Sequence, residues 1–248
     1  MMTELQHGSS DRPTDDIVLV HSSDLHVDDD LGIGAYNGLI GLASVLATAR
    51  SLAADIVLLA GDTFDNHRVS APVLARATAL LATAGVPVVL LPGNHDSVMP
   101  QCLFHRAGII GLPDIHVLGV TNAGSILFER HGLEIWGHAH CGFGDMAPLR
   151  TPRLRTTRWQ VAMAHGHYVS PDEWHREAHR GWKISDQDIA ATEAHYVALG
   201  HWDRPVPAGD GRVPAYYSGS PDLARTVNAV RLSAATGVTV DRVPLIWV

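Results

Sequence analysis

The chain has 248 residues, 46% of them hydrophobic, and a formal net charge of −8. That length buries a sizeable core without covalent staples, and the acidic balance argues against the broad cationic face behind nonspecific nucleic-acid affinity. Cys102 and Cys141 form no CxxC pair, which excludes a thiolate zinc or redox motif and fits a reducing compartment, the cytoplasm.

Residues 1–15 read as a polar tail with no apolar stretch of signal-peptide length, and 16–248 as a single domain. The first half then alternates β-branched runs with Ala-rich segments of helical length, the pattern of an α/β fold with buried strands. Strands are expected at 17–21, 56–60 and 86–91, and helices at 37–52 and 71–84. From 115 onward strands dominate, at 115–118, 125–128, 133–136, 161–164, 196–199, 213–217 and 238–244. Two further helices are expected, at 171–179 and at 185–192 with Ser185 as N-cap. The apolar runs are strand-length, far short of the roughly 20 residues that cross a bilayer, so no membrane partner is expected.

Several strands run directly into a polar cluster, where α/β sheets gather their ligand sites. The first cluster holds Asp24 and His26, which in extended chain share a face and can grip one ion. Gly61-Asp62 follows the second strand and Gly93-Asn94-His95-Asp96 the third. His165 ends a later strand, and Gly200-His201-Trp202-Asp203 another. Taken singly, the first two clusters serve a turn as well as a metal. The chain has 16 His, the commonest metal-binding side chain, and these strand ends are where they would matter.

In this order the clusters resemble the calcineurin-like metallophosphoesterase superfamily, with its DxH, GD, GNH followed by Asp or Glu, His, and GHxH pattern. LAGDTFDNHR (59–68), LPGNHDS (91–97), VALGHWDR (197–204) and YSGS (217–220) look like the DNA double-strand-break repair exonuclease branch, the SbcD-type nuclease subunit that pairs with a coiled-coil ATPase. The resemblance implies a four-layer α/β/β/α sandwich of two mixed sheets with helices outside. It implies one metal on Asp24, His26, Asp62 and Asp203 and a second on Asp62, Asn94, His165 and His201, with Asp62 bridging. Such donors suit Mn first, with Fe, Zn or Mg as alternatives, at about 3.5–4 Å separation. A hydroxide shared by the metals is then the expected nucleophile, His95 the general acid, and Asp96 a support for its loop.

One position departs from the pattern. Asp203 stands where the superfamily has a final imidazole, which makes the expected centre formally neutral rather than positive and the first site harder. A literal GHxH also occurs at Gly137-His138-Ala139-His140, but its place in the order argues against it, because the strand ends at His165 and His201 would then be unexplained. His67, Arg68 and Arg153 are candidates for touching substrate, Arg153 as part of the basic stretch Arg150, Arg153, Arg155 and Arg158. The acidic run Asp28, Asp29 and Asp30 reads as a solvated loop.

The expected function is hydrolysis of a phosphodiester, on a nucleotide or a nucleic acid. The acidic chain, Asp203, and the 28 residues after Ser220 count against DNA and make nucleotides or small diesters a competing substrate class, with a repair-type DNA nuclease as the alternative. A degenerate, phosphoesterase-like scaffold is the alternative from another class, with only Asp203 in its favour.

Overall fold

The structure is a computed structural model, and it describes residues 15–29, 37–106, 108–142, 144–173 and 181–248. In chain order the first half holds β1 (Ile17–Ser22), α1 (Gly38–Ser51), β2 (Ile56–Ala60), α2 (Ala71–Ala82), β3 (Val88–Leu91), α3 (Leu103–Arg106) and β4 (Ile115–Val117). The second half opens with β5 (Ser125–Phe128), β6 (Leu133–Gly137), β7 (Trp159–His165), β8 (His167–Tyr168) and β9 (Lys183–Ile184). It continues through α4 (Asp186–Ala191), β10 (Tyr196–Gly200), β11 (Pro207–Ala208), β12 (Ala215–Tyr217), α5 (Pro221–Ala224), β13 (Thr226–Ser233) and β14 (Gly237–Pro244).

These form two six-stranded mixed sheets, ordered β14-β13-β1-β2-β3-β4 and β11-β12-β10-β7-β6-β5. Strand alternation sends successive side chains to opposite faces, and each main strand is apolar on both. In β1, Ile17 and Leu19 enter the layer between the sheets, while Val18 and Val20 meet the helices α1 and α2. In β7, Val161 and Met163 face the first sheet, and Ala162 and Ala164 face an outer cluster with Ile189 of α4 and Leu149. The layers therefore run helix, sheet, sheet, helix, as expected, the last layer being thin.

Asn37 caps α1 by accepting from Ile40 N at 3.0 Å. Ser185 and Asp188 form a reciprocal capping box at the start of α4. The expected helix at 171–179 differs: 171–173 form a turn, and the rest lies outside the described residues, as do Asp30 and residues 1–14 of the expected tail. The strand β13, unforeseen in the sequence, pairs antiparallel with both β1 and β14. Its polar Asn228 and Arg231 interrupt the apolar pattern; Asn228 is nonetheless buried, donating to the Tyr217 carbonyl at 3.2 Å. Among the described residues no helix is long and apolar enough to cross a membrane.

Candidate metal centre

The strands β1, β2 and β3 run parallel in the first sheet, and β7 and β10 in the second. Their carboxyl ends carry Asp24, Asp62, Asn94, His165 and His201, so the packing of sheet on sheet brings five loops to one edge. Backbone bonds lock the loops together. Asp24 N donates to Gly61 O at 3.0 Å, His26 N to Asp62 O at 3.1 Å, and Gly166 N to Gly200 O at 3.2 Å. Across the sheets, His201 N donates to both Asp24 carboxylate oxygens, at 2.9 and 3.2 Å.

Close approach dictates the glycines. A Cβ at Gly93 would collide with the Asp62 carboxylate, and one at Gly61, which also has φ +96°, with the His165 ring. Asp24 (φ 54°), His26 (φ 47°), Asp62 (φ 49°) and His201 (φ 102°) all lie in the left-handed region. For residues other than glycine such backbone is costly and is held only where surroundings over-determine it, typically at functional sites.

His165 is fully buried, with Nδ1 donating to Ala60 O at 2.9 Å. Its Nε2 lies 3.1 Å from Asp62 Oδ2 and 3.1 Å from Asn94 Oδ1. With Nδ1–H engaged, a neutral imidazole offers a lone pair at Nε2, so three lone-pair donors point at one another. Only a cation or an extra proton on His165 reconciles them, so the donor set fits a metal ion. In the metal-free chain the proton wins: burial opposes the charge, but Asp62 and then Asp24 push His165 up to about 10. Burial likewise works against the Asp62 anion, and His165 more than offsets it, holding that carboxyl well below the usual range. Asp24 is shifted up by burial, with Asp62 adding to it and His165 opposing.

Among the described residues, Asp24, His26 and Asp62 form one group of side chains whose donor atoms lie within 4.8 Å of one another, and Asp62, His165 and His201 form another. Asp62 belongs to both. His26 turns Nε2 toward Asp62 Oδ2 at 4.0 Å, while its Nδ1 donates to Asp65 Oδ1 at 3.0 Å. Asp65, with His26 and His95, makes a third group.

His95 is the exposed member, its side chain 43% accessible. Its backbone N donates to Asp62 Oδ1 at 2.9 Å and its Nδ1 to the Asp65 carbonyl at 2.7 Å. Asp96 is fully buried beneath, accepting from Gly93 N at 2.7 Å and Phe64 N at 3.1 Å. It braces two loops without reaching the His95 ring's nitrogens, and burial, with Asp62 nearby, pushes it up to about 7.

Asp203 is exposed, its carbonyl accepting from Ser220 N at 3.1 Å, and it belongs to none of the three donor groups. It lines a cleft of about 450 Å³ with His167, His201, Trp202, Arg204 and Leu223. A second cleft of about 540 Å³ is lined by Asp65, Asn66, His67, Arg68, Asn94, His95, Met99 and Trp182. His67 and Arg68 thus stand beside His95. Arg153 stands elsewhere, donating to Glu134 at 2.8 Å. Glu134 pairs with Gln160, five residues before His165, so Arg153 sits at the far end of the sheet, roughly 16 Å of strand away. Of the alternative GHxH, His140 is buried behind His165 with Nε2 2.8 Å from its carbonyl, and neither His138 nor His140 joins a donor group.

Sequence reasoning passed over Asp65 and Trp182. The signal for Asp65 was present, a carboxylate three positions after Asp62 in the same turn. Trp182 carried none, because its place depends on the packing of a distant loop.

A family model described as calcineurin-like phosphoesterase matches residues 17–224. Among curated proteins, the SbcD-type chain of the nuclease SbcCD from Bacillus subtilis (strain 168) is 29% identical over 67% of this chain and 51% of its own. A UDP-2,3-diacylglucosamine hydrolase of Xanthomonas campestris pv. campestris is 32% identical over 30% of this chain and 33% of its own. The chain thus spans about half the length of the first relative and a third of the second. Among solved structures, TT1561 of Thermus thermophilus aligns with TM-score 0.57 at 12% identity, covering 91% of this chain and 98% of that one. A putative 5′-nucleotidase from Staphylococcus aureus aligns with TM-score 0.60 at 14% identity, covering 94% and 54%. The fold is shared with both, and because the family model spans every loop that meets at this edge, the chain belongs to the calcineurin-like phosphoesterase family.

Proposed function

We propose that this chain is a metal-dependent phosphodiesterase working with two divalent cations. The observation that carries the reading is the shared position of Asp62, whose carboxylate belongs to both the Asp24–His26 and the His165–His201 donor groups. A carboxylate common to two donor sets is what a paired-cation site requires. Asp24, His26 and Asp62 would hold one ion, with Asp203 as the further ligand to be tested. Asp62, Asn94, His165 and His201 would hold the other. Carboxylate, imidazole and amide oxygen suit Mn first, then Fe, Zn or Mg. When bound, the pair supplies Lewis-acid neutralisation of phosphoryl oxygens and a lowered pKa for water.

The chain's own groups do the rest. His95 donates through Nδ1 to the Asp65 carbonyl, which leaves Nε2 for the cleft, and as the imidazolium it would give its Nε2 proton to the departing oxygen and be left neutral. Asp65 orients His26 from behind, and Asp96 holds the loops that carry Asp62 and His95.

A second reading, cleavage of DNA, has the likeness to the SbcCD nuclease in its favour. Turnover of bis(p-nitrophenyl) phosphate against p-nitrophenyl phosphate, with Mn, Fe, Zn and Mg compared, tests the first reading. We expect diester turnover dependent on metal. Metal bound at two equivalents with neither ester cleaved would turn the assignment to a scaffold. Cleavage of linear DNA would favour the nuclease.

A further inference from the structure

Trp182 is held in an unusual way. Its φ of 53° places a bulky residue in the left-handed region, a conformation that survives only under strong local constraint. Three anchors supply it: Trp182 N donates to Asp145 Oδ1 at 2.6 Å, the indole Nε1 donates to Gly144 O at 3.1 Å, and Trp182 O accepts from His167 N at 2.9 Å. The indole so fixed stands edge to face with His201 at 5.8 Å and with His140 at 5.2 Å. It therefore spans from the floor of the metal centre to the cleft beside His95.

Among its described lining residues that cleft has one indole, Trp182, the imidazoles of His67 and His95, the thioether of Met99, and a single guanidinium, Arg68. At about 540 Å³ it lies in the range of small-ligand sites, about 300–1,000 Å³. One cation matches one phosphate, whereas a duplex tract needs many basic contacts for affinity. An indole offers stacking to any base whose face is free, and a paired base inside a duplex has none free.

We infer that Trp182 forms the wall of a subsite for a single unpaired nucleoside, so that the diester's leaving half is a nucleoside whose base stacks on the indole while Arg68 meets the phosphate being cleaved. This rests on the phosphodiesterase reading for its direction, since the group leaving toward His95 is the one the cleft receives. The substrate class is then a small nucleotide diester or the frayed end of a strand. Base stacking of this kind is worth about tenfold or more in affinity.

The test uses the full chain loaded with Mn²⁺, as wild type, Trp182→Ala and Trp182→Phe, with metal content measured on each. Turnover is compared on dithymidine monophosphate and on the ring-free diester bis(2-hydroxyethyl) phosphate. Binding of thymidine 5′-monophosphate and of methyl phosphate is measured in parallel by calorimetry. We expect the wild type to prefer the nucleoside ligand by about tenfold in kcat/KM and in Kd. That ratio should collapse toward one in Trp182→Ala and persist in Trp182→Phe. A preference that survives Trp182→Ala, or no preference in the wild type, overturns the inference and leaves the hydrolase reading intact. Selective nucleotide binding that depends on Trp182, with neither diester cleaved, supports the subsite and overturns the hydrolase reading alone. Neither selective binding nor cleavage overturns both.

Discussion

Asp65 Oδ1 lies 3.0 Å from His26 Nδ1, while the same residue's carbonyl lies 2.7 Å from His95 Nδ1. One residue therefore orients both the imidazole proposed to bind metal and the proposed general acid. Such partners behind a ligand typically contribute 10–100-fold in metal affinity or activity. We expect Asp65→Ala to weaken the metal held by His26 by about that factor and Asp65→Asn, which keeps an acceptor oxygen, to lose much less. Calorimetric metal titration separates the two variants. Equal affinities for all three proteins would remove Asp65 from this role.

His95→Ala should keep both metals and lose about 10²–10⁴-fold in turnover of a poor leaving group, because its ring belongs to neither of the two donor groups that share Asp62. An activated leaving group such as p-nitrophenolate needs no proton and should suffer far less. Loss of metal in this variant, seen by elemental analysis, would reassign His95 as a ligand.

Asp203→His restores the imidazole found in related sequence patterns and raises the formal charge of the site by one unit. We expect the variant to favour Zn over Mn relative to the parent chain. Identical titrations with both metals would show that position 203 does not touch the ions, in keeping with its exposure here.

Gly93→Ala puts a methyl group onto the Asp62 carboxylate, with the Asp62 backbone N only 2.7 Å from the new carbon. Overpacking of this kind costs about 1–3 kcal/mol, and here it also shifts the shared ligand. Both a lower urea midpoint and a reduced metal stoichiometry are expected. An unaltered metal content would mean that the loop gives way without moving Asp62.

His21 is buried between the sheets, its Nδ1 2.9 Å from the Tyr196 hydroxyl. Burial lowers its pKa to about 3, against a smaller opposing bond to Leu199. The folded chain keeps this imidazole neutral where the unfolded chain, with its ordinary value near 6.5, takes up a proton. Stability attributable to His21 is therefore full above about pH 6.5 and falls as pH drops toward 3, by up to about 1.4 kcal/mol per pH unit. Urea midpoints between pH 7 and 4 should show a shallower acid limb for His21→Asn than for the parent. Parallel limbs would assign the acid sensitivity to other buried histidines.

The two halves of the problem were unequally legible. Strand positions and the strand-end placement of Asp24, Asp62, Asn94, His165 and His201 could be read directly, because buried parallel strands are continuous apolar runs and their loops follow at once. The strand β13 could not, since its polar positions break the pattern, and Asn228 is buried only through a bond to Tyr217. Arg153 looked like a phosphate clamp by local charge density, yet it pairs with Glu134 at the other end of its sheet, a separation invisible without the register.

What the chain determined by itself was therefore the strand-end position and order of the candidate donors, both set by local periodicity and turn chemistry. Tertiary structure alone decided which of them face one another. The stacking of the two sheets set His165 against Asp62, the parallel pairing of β1, β2 and β3 put Asp65 behind His26 and His95, and Asp203 was left on an exposed rim. Those outcomes depend on distances between segments 30 or more residues apart, and no local propensity encodes them.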